Sequence, residues 1–107
     1  MGLVFQNSFT RKKEAFSPIE PGKVELYTCG PTIYDFAHIG NFRTFLFEDL
    51  LRRYLKYKGF TVIQVMNLTD VDDRTITASR KEGIPLSEYT KRYATAFFED
   101  LKTLNVD

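Results

Sequence analysis

A strand–helix–strand pattern in the middle of the chain constrains its fold most strongly. Apolar runs at Val24–Cys29 and Thr61–Met66 predict two strands, the second continuous enough to be buried on both faces. Between them, apolar residues at helical spacing predict a helix from about Asn41 to Lys58, stopped by Gly59: Phe47, Leu50, Leu51, Tyr54 and Leu55. Two strands joined by a helix of this length predict a right-handed βαβ unit with parallel strands.

The flanking segments extend this α/β pattern. Residues 3–9 predict an edge strand or an extended arm, residues 10–14 a basic turn, and residues 16–22 a connector ending in Pro-Gly. A further helix is predicted over residues 70–83, with carboxylates in its first turn, and another begins at Pro85. Its helical spacing is kept by Leu86, Tyr89, Tyr93, Phe97, Leu101 and Leu104.

The composition narrows the class of protein without identifying a ligand. The 107 residues suffice for one small domain, and a net charge of +1 favours no particular partner. A single cysteine excludes an internal disulfide and fits a reducing compartment. We expect no membrane partner, because no apolar run approaches the roughly 20 residues of a spanning helix. The N-terminus also lacks a signal-peptide pattern, so we expect a cytoplasmic location.

The junction between the first strand and the long helix carries the candidate chemistry. Cys29 and His38, the only cysteine and the only histidine, stand nine positions apart there. In a parallel sheet both strand ends face one crevice, which would bring Cys29 and the segment 67–70 together. The helix N-terminus opens into the same crevice and suits a phosphate. His38 could donate a hydrogen bond to that phosphate, and Gly40 would let a flat ligand approach the backbone.

Each of these features also has a purely structural interpretation. A lone cysteine at a strand end is commonly a small buried hydrophobe, and a lone histidine is commonly a hydrogen-bonded surface residue. Gly40 could simply satisfy a turn. The acidic cluster Asp70, Asp72 and Asp73 is most simply helix capping. The aromatic residues within 42–47 and 89–98 are typical of core stripes.

Taken in order, the motifs resemble cysteinyl-tRNA synthetase, a class I aminoacyl-tRNA synthetase, over essentially the whole chain. Asn7-Ser-Phe-Thr-Arg-Lys-Lys-Glu14 looks like the family's opening strand and basic turn, and Pro21 to Asp35 looks like its zinc-ligand strand. His38-Ile-Gly-Asn41 looks like the class I "HIGH" motif. Asn67-Leu-Thr-Asp-Val-Asp-Asp73 looks like the motif after the second strand.

The resemblance implies a fold and an activity. The fold would be the first half of a Rossmann-like nucleotide-binding fold, with parallel strands and crossover helices. Residues 1–107 would form the N-terminal portion of the catalytic domain. Cysteine and ATP would form cysteinyl-adenylate and pyrophosphate, and the cysteinyl group would then pass to the 3′ end of the cysteine-specific tRNA. We expect the full-length enzyme to be a monomer.

The resemblance also implies residue roles. Cys29 would be one of four zinc ligands, and zinc would select a thiolate over a hydroxyl. His38 and Asn41 would be catalytic, contacting the ATP phosphates and stabilising charge on the transferring group. Gly40 would join them in the ATP site. The remaining residues would line the adenylate site: Gly30, Thr32, Thr44, Asn67 and Thr69.

Two departures from the family pattern shape these expectations. Asn41 replaces the last histidine of the motif; its amide can donate a hydrogen bond but cannot carry charge. The sequence also lacks a "KMSKS" loop, the other zinc ligands, the second half of the nucleotide fold and an anticodon-binding part. We therefore expect this chain alone to bind zinc weakly or not at all. We also expect it to catalyse no amino-acid-dependent pyrophosphate exchange.

Three alternative functions remain open at this stage. One is the cysteine ligase that joins cysteine to a glucosaminyl-inositol in mycothiol synthesis, which resembles the synthetase through this region. Another is a different nucleotidylyl transferase with a His-x-Gly-His-like motif, which would not need Cys29. The third is a non-catalytic interaction module built from half a nucleotide fold.

Overall fold

The computed structural model describes residues 2–106, which form four strands and three helices in the order β-β-β-α-β-α-α. The strands are β1 (Val4–Asn7), β2 (Lys12–Ala15), β3 (Lys23–Thr28) and β4 (Thr61–Met66). The helices are α1 (Ile39–Tyr57), α2 (Asp73–Glu82) and α3 (Leu86–Thr103).

The βαβ unit predicted from the sequence is confirmed. Strands β3 and β4 pair in parallel from Lys23 opposite Thr61 to Thr28 opposite Met66, and α1 connects them. Because the paired strands end together, the segments that follow Thr28 and Met66 start at the same edge of the sheet. Cys29 lies just beyond β3, and α1 begins two residues earlier than the sequence pattern suggested.

Two apolar clusters hold the unit together. One packs α1 onto the sheet through the buried residues Val24, Leu55 and Val62. The other packs α1 against α3 through Phe42, Phe45 and Phe97, with ring centroids of Phe45 and Phe97 5.2 Å apart. This second cluster fixes the start of α1, where the candidate motif lies, against α3.

The N-terminal segment differs from its prediction. Residues 2–16 contain an antiparallel hairpin, in which β1 pairs with β2 from Val4 opposite Ala15 to Asn7 opposite Lys12. The turn lies at residues 8–11, where Arg11 has a φ of 60°. Most of the expected basic turn at 10–14 is therefore strand. The edge-strand alternative for residues 3–9 was the better one.

Two burial predictions are wrong. β4 is covered by α1 on one face only, and Ile63 and Val65 on the other face are exposed. On α1, the predicted apolar stripe is helical, but Phe47 and Leu50 are each 64% exposed. The periodicity identified the helix correctly. It could not show that the side of α1 with Phe47 and Leu50 is left uncovered by the other elements among residues 2–106.

Helices α2 and α3 complete the described structure. α2 ends at Glu82 and is capped by Gly83, whose positive φ of 73° gives a left-handed C-cap. α3 buries Tyr89, Thr90 and Phe97, as the aromatic spacing predicted for the two aromatic positions, whereas Phe98 remains exposed. None of the helices within residues 2–106 combines the length and apolar character needed to cross a bilayer.

Candidate active site

The site begins where the two parallel strands end. The backbone N–H of Gly30 donates to Asn67 Oδ1 at 2.7 Å, which ties the second residue after β3 to the first residue after β4. A Cβ on Gly30 would lie 1.9 Å from the Asn67 carbonyl oxygen, so only glycine fits here. The parallel pairing then continues, because Ile33 N–H donates to Thr69 O at 3.0 Å and Thr69 N–H donates to Pro31 O at 3.1 Å.

The start of α1 is closed by a reciprocal capping box. His38 is the N-cap, and its Nδ1 accepts a hydrogen bond from Gly40 N–H at 3.0 Å. Asn41 Oδ1 in turn accepts from His38 N–H at 2.9 Å. Since Nδ1 is an acceptor, the proton of the neutral imidazole is on Nε2. The cap therefore uses the acceptor atom of each side chain and leaves Nε2–H of His38 and the Nδ2 amide of Asn41 as donors.

A polar cavity of about 440 Å³ lies against this helix start. It collects four of the predicted site residues, namely Gly30, Thr32, His38 and Asn41. The remaining lining comes from the loop between β3 and α1 and from the start of α2: Pro31, Tyr34, Asp35, Phe36, Ala37 and Arg74. The cavity lies at the junction between β3 and α1, where the sequence pattern predicted a ligand site.

Five predicted site residues lie outside this lining. Asn67 and Thr69 join the strand ends as described, and Asn67 Nδ2 lies 3.9 Å from the exposed Cys29 Sγ. Gly40 is the second residue of α1, where an added Cβ would lie 3.2 Å from His38 Nδ1. Thr44 follows on the same side of α1, three residues beyond Asn41.

The residues in hand do not make a zinc site. Structural and catalytic zinc needs three or four side-chain ligands. No group of three or more His, Cys, Asp or Glu side chains within residues 2–106 could hold a metal ion. His38 Nδ1 already accepts a hydrogen bond in the helix cap. Cys29 is the one thiol that the sequence contains.

The capping interpretation of the acidic cluster is confirmed for Asp72. Asp72 is the N-cap of α2, and its carboxylate accepts from Arg74 N–H at 2.7 Å. This hydrogen bond, together with that from the Arg74 side chain, holds the pKa of the Asp72 carboxyl below its usual value. Helix α2 accordingly begins at Asp73, later than predicted.

Arg74 is the site residue that sequence reasoning missed. It lies in the first turn of α2, its Nη2 donates to Thr32 Oγ1 at 3.0 Å, and its guanidinium carbon lies 5.0 Å from the centre of the Tyr34 ring. The available signal was topological. Arg74 follows the end of β4 by a few residues, and that end adjoins the loop after β3.

Comparison with known proteins gives the family of the chain. Residues 15–107 match the family described as tRNA synthetases class I (C) catalytic domain. The chain belongs to this family. The family match confirms the sequence resemblance and the partial Rossmann-like α/β architecture, whose parallel strands end at the cavity.

Curated relatives carry one shared name. The chain is 60% identical over 104 residues to the cysteine–tRNA ligase of Protochlamydia amoebophila, and 58% identical over 104 residues to that of Brachyspira hyodysenteriae. It is 58% identical over 105 residues to the cysteine–tRNA ligase of Chlamydia pneumoniae. These matches cover 97–98% of this chain and 22% of each relative, so the chain spans about a fifth of the length of those proteins.

Proposed function

We propose that this chain forms the N-terminal part of the catalytic domain of a cysteine–tRNA ligase. The enzyme would activate L-cysteine with ATP to cysteinyl-adenylate and pyrophosphate, and then transfer cysteine to the 3′ end of its tRNA. The observation that carries the proposal is the polar cavity at the parallel strand ends, which is lined by His38 and Asn41 in a family of tRNA synthetase catalytic domains. The proposal includes a cytoplasmic location, because its substrates would be ATP, L-cysteine and tRNA.

In the proposed reaction, the two capping residues act as hydrogen-bond donors. His38 Nε2–H and Asn41 Nδ2 would donate to phosphate oxygens of ATP at the positive end of the α1 dipole. Charge builds up on those oxygens as the cysteine carboxylate attacks the α-phosphorus and pyrophosphate leaves. Donors already fixed by the helix cap need no reorganisation at that moment, which is how such groups lower a barrier.

The loop after β3 would form one wall of the adenylate site. Gly30 and Thr32 both line the cavity, where the Thr32 hydroxyl would face the ligand. Thr44, Asn67 and Thr69 would complete the surroundings from α1 and from the end of β4. Little proton transfer is required in this reaction, so positioning carries most of the catalysis.

Cys29 remains a candidate zinc ligand, although it could not hold zinc without further ligands. Its thiol is exposed at the strand end, as a ligand to a shared metal would need to be. The described residues supply a single thiol for such a site.

Cysteine ligation to a different acceptor is the second candidate. A mycothiol-type ligase would share the activation step and differ in the acceptor of the cysteinyl group. The names of the relatives favour the tRNA ligase.

A chimeric enzyme tests the proposal directly. Residues of this chain would replace the matching 105 residues of the Chlamydia pneumoniae cysteine–tRNA ligase. We expect cysteine-dependent exchange of pyrophosphate into ATP, with little exchange for serine, followed by charging of tRNA. Cys29→Ala in the chimera should reduce exchange with cysteine, whereas full activity would favour another nucleotidylyl transferase.

The control is the unmodified Chlamydia pneumoniae protein assayed in parallel. A chimera that folds, as judged by circular dichroism and sedimentation, yet exchanges no pyrophosphate would contradict the proposal. Transfer of cysteine to a glucosaminyl-inositol in place of tRNA would favour the second candidate.

A further inference from the structure

Arg74 makes three contacts that link the start of α2 to the loop after β3. Its Nη2 donates to Thr32 Oγ1 at 3.0 Å, its guanidinium lies over the Tyr34 ring, and its Nε lies 3.4 Å from Asp72 Oδ1. The first two contacts reach across from α2 to the loop after β3. The third is with the N-cap residue of α2 and orients the Arg74 side chain.

The contact with Thr32 determines what that hydroxyl can offer a ligand. A threonine hydroxyl has one hydrogen to donate and two lone pairs that accept. Arg74 can only donate, so Thr32 Oγ1 acts as the acceptor in this pair. The hydroxyl hydrogen is then turned away from Arg74 and is available to an acceptor atom in the cavity.

The contact with Tyr34 fixes the same loop from its other end. The Tyr34 ring lies under the guanidinium, and its carbonyl oxygen accepts a hydrogen bond from the Tyr89 hydroxyl of α3. A planar guanidinium can stack on a ring while it donates along its edge, which a lysine ammonium cannot do. The loop is therefore held between α2 and α3.

We propose that Arg74 is a positioning residue for the nucleotide site, acting through Thr32. It holds the Thr32 hydroxyl as a donor toward the ligand and keeps the loop of residues 30–36 against α2. The proposal rests on the proposed function for the identity of the ligand, ATP. The contacts of Arg74 with Thr32 and Tyr34 do not depend on that function.

A double-mutant cycle tests the proposal in the chimeric enzyme. Arg74→Met and Thr32→Val should each raise KM for ATP about fivefold, as expected for loss of one hydrogen bond, with kcat nearly unchanged. The double variant should be no worse than Thr32→Val alone. Arg74→Lys should not restore the KM, because it keeps the charge but loses the fork and the stacking. Arg80→Met is the matched control, an exposed arginine later on α2, and should leave KM unchanged.

Additive effects of the two substitutions, or recovery with Arg74→Lys, would overturn the proposal in favour of a direct charge contact with the ligand. A second measurement needs no activity. Hydrogen exchange of the Ile33 amide in this chain should be about fivefold faster in Arg74→Met than in wild type or Arg80→Met. Unchanged exchange would also overturn the proposal. A chimera without any pyrophosphate exchange would count against the proposed function. The hydrogen-exchange rate of the Ile33 amide would then be the only test of whether Arg74 holds the loop of residues 30–36.

Discussion

We propose that His38 combines two roles in one side chain. Nδ1 caps α1 by accepting from Gly40 N–H, and Nε2 is left to donate into the cavity. His38→Asn should keep a capping oxygen, because asparagine is a favourable N-cap, but it removes the Nε2 donor. In the chimera we expect stability close to wild type and pyrophosphate exchange reduced by about 100-fold, the scale for loss of one well-placed donor.

The comparison variant is His38→Ala, which should lose both functions. Its free energy of unfolding should fall by about 1 kcal/mol through loss of the cap, in addition to the loss of exchange activity. Urea denaturation followed by circular dichroism measures the first effect. Equal activities in wild type and His38→Asn would show that the imidazole is only a cap.

Position 30 requires glycine because the backbone of Asn67 lies against it. An alanine Cβ would meet the Asn67 carbonyl oxygen at 1.9 Å, and a backbone atom cannot move aside as a side chain can. Gly30→Ala should therefore separate the strand ends and lower the free energy of unfolding by about 3 kcal/mol. Gly2→Ala, where a Cβ meets nothing within 4 Å, should change it by less than about 0.5 kcal/mol in the same urea titration. Similar stability of the two variants would contradict this account.

At the residue scale, the sequence predicted where His38 and Asn41 lie but not the hydrogen bonds that they make. The order of residues indicated that His38 and Asn41 lie at a helix start facing the strand ends. It did not indicate that each side chain caps that helix, because capping depends on side-chain orientation. Arg74 escaped prediction because its contacts with Thr32 and Tyr34 join residues some forty positions apart.

At the scale of elements, α2 depends on a carboxylate. The pKa of Asp72 is lowered chiefly by the Arg74 backbone N–H, so the charged form is the one that stabilises the folded helix start. That contribution is present above the pKa of the unfolded chain, about 3.9, and is lost as pH falls through the lower folded value. We expect the Arg74 amide resonance to shift below about pH 4.

Asp72→Asn isolates this titration. Asparagine can still cap the helix but does not ionise, so the Arg74 amide should lose that acid-induced shift in a pH series recorded by NMR. Persistence of the same shift in Asp72→Asn would assign it to another group.

Elements were predictable where local pattern and tertiary packing agree. The βαβ unit follows from two apolar runs around an amphipathic segment, and the structure contains it. The N-terminal hairpin was harder to predict, since β1 and β2 are four residues each and exposed along their length. Such strands carry little hydrophobic alternation, and their pairing depends on the turn at Arg11.

At the scale of the whole molecule, the arrangement is open. The radius of gyration is 17.0 Å, whereas a closed domain of this length is expected near 13 Å. One face of the two-stranded sheet exposes Tyr27, Ile63 and Val65, and one side of α1 exposes Phe47, Leu50 and Tyr54. Apolar surface of this kind is normally covered by another element or another chain.

The open arrangement predicts self-association of the chain in isolation. Sedimentation velocity should show an average mass that rises from low to high micromolar concentration, because exposed apolar side chains and free strand edges can pair between copies. Leu50→Lys places a charge within the apolar side of α1 and should reduce this association. Thr95→Lys adds the same charge at an exposed position of α3 and should not. A wild-type chain that stays monomeric and unfolds cooperatively would mean that the open faces are tolerated in water, and the interaction-module alternative would gain weight.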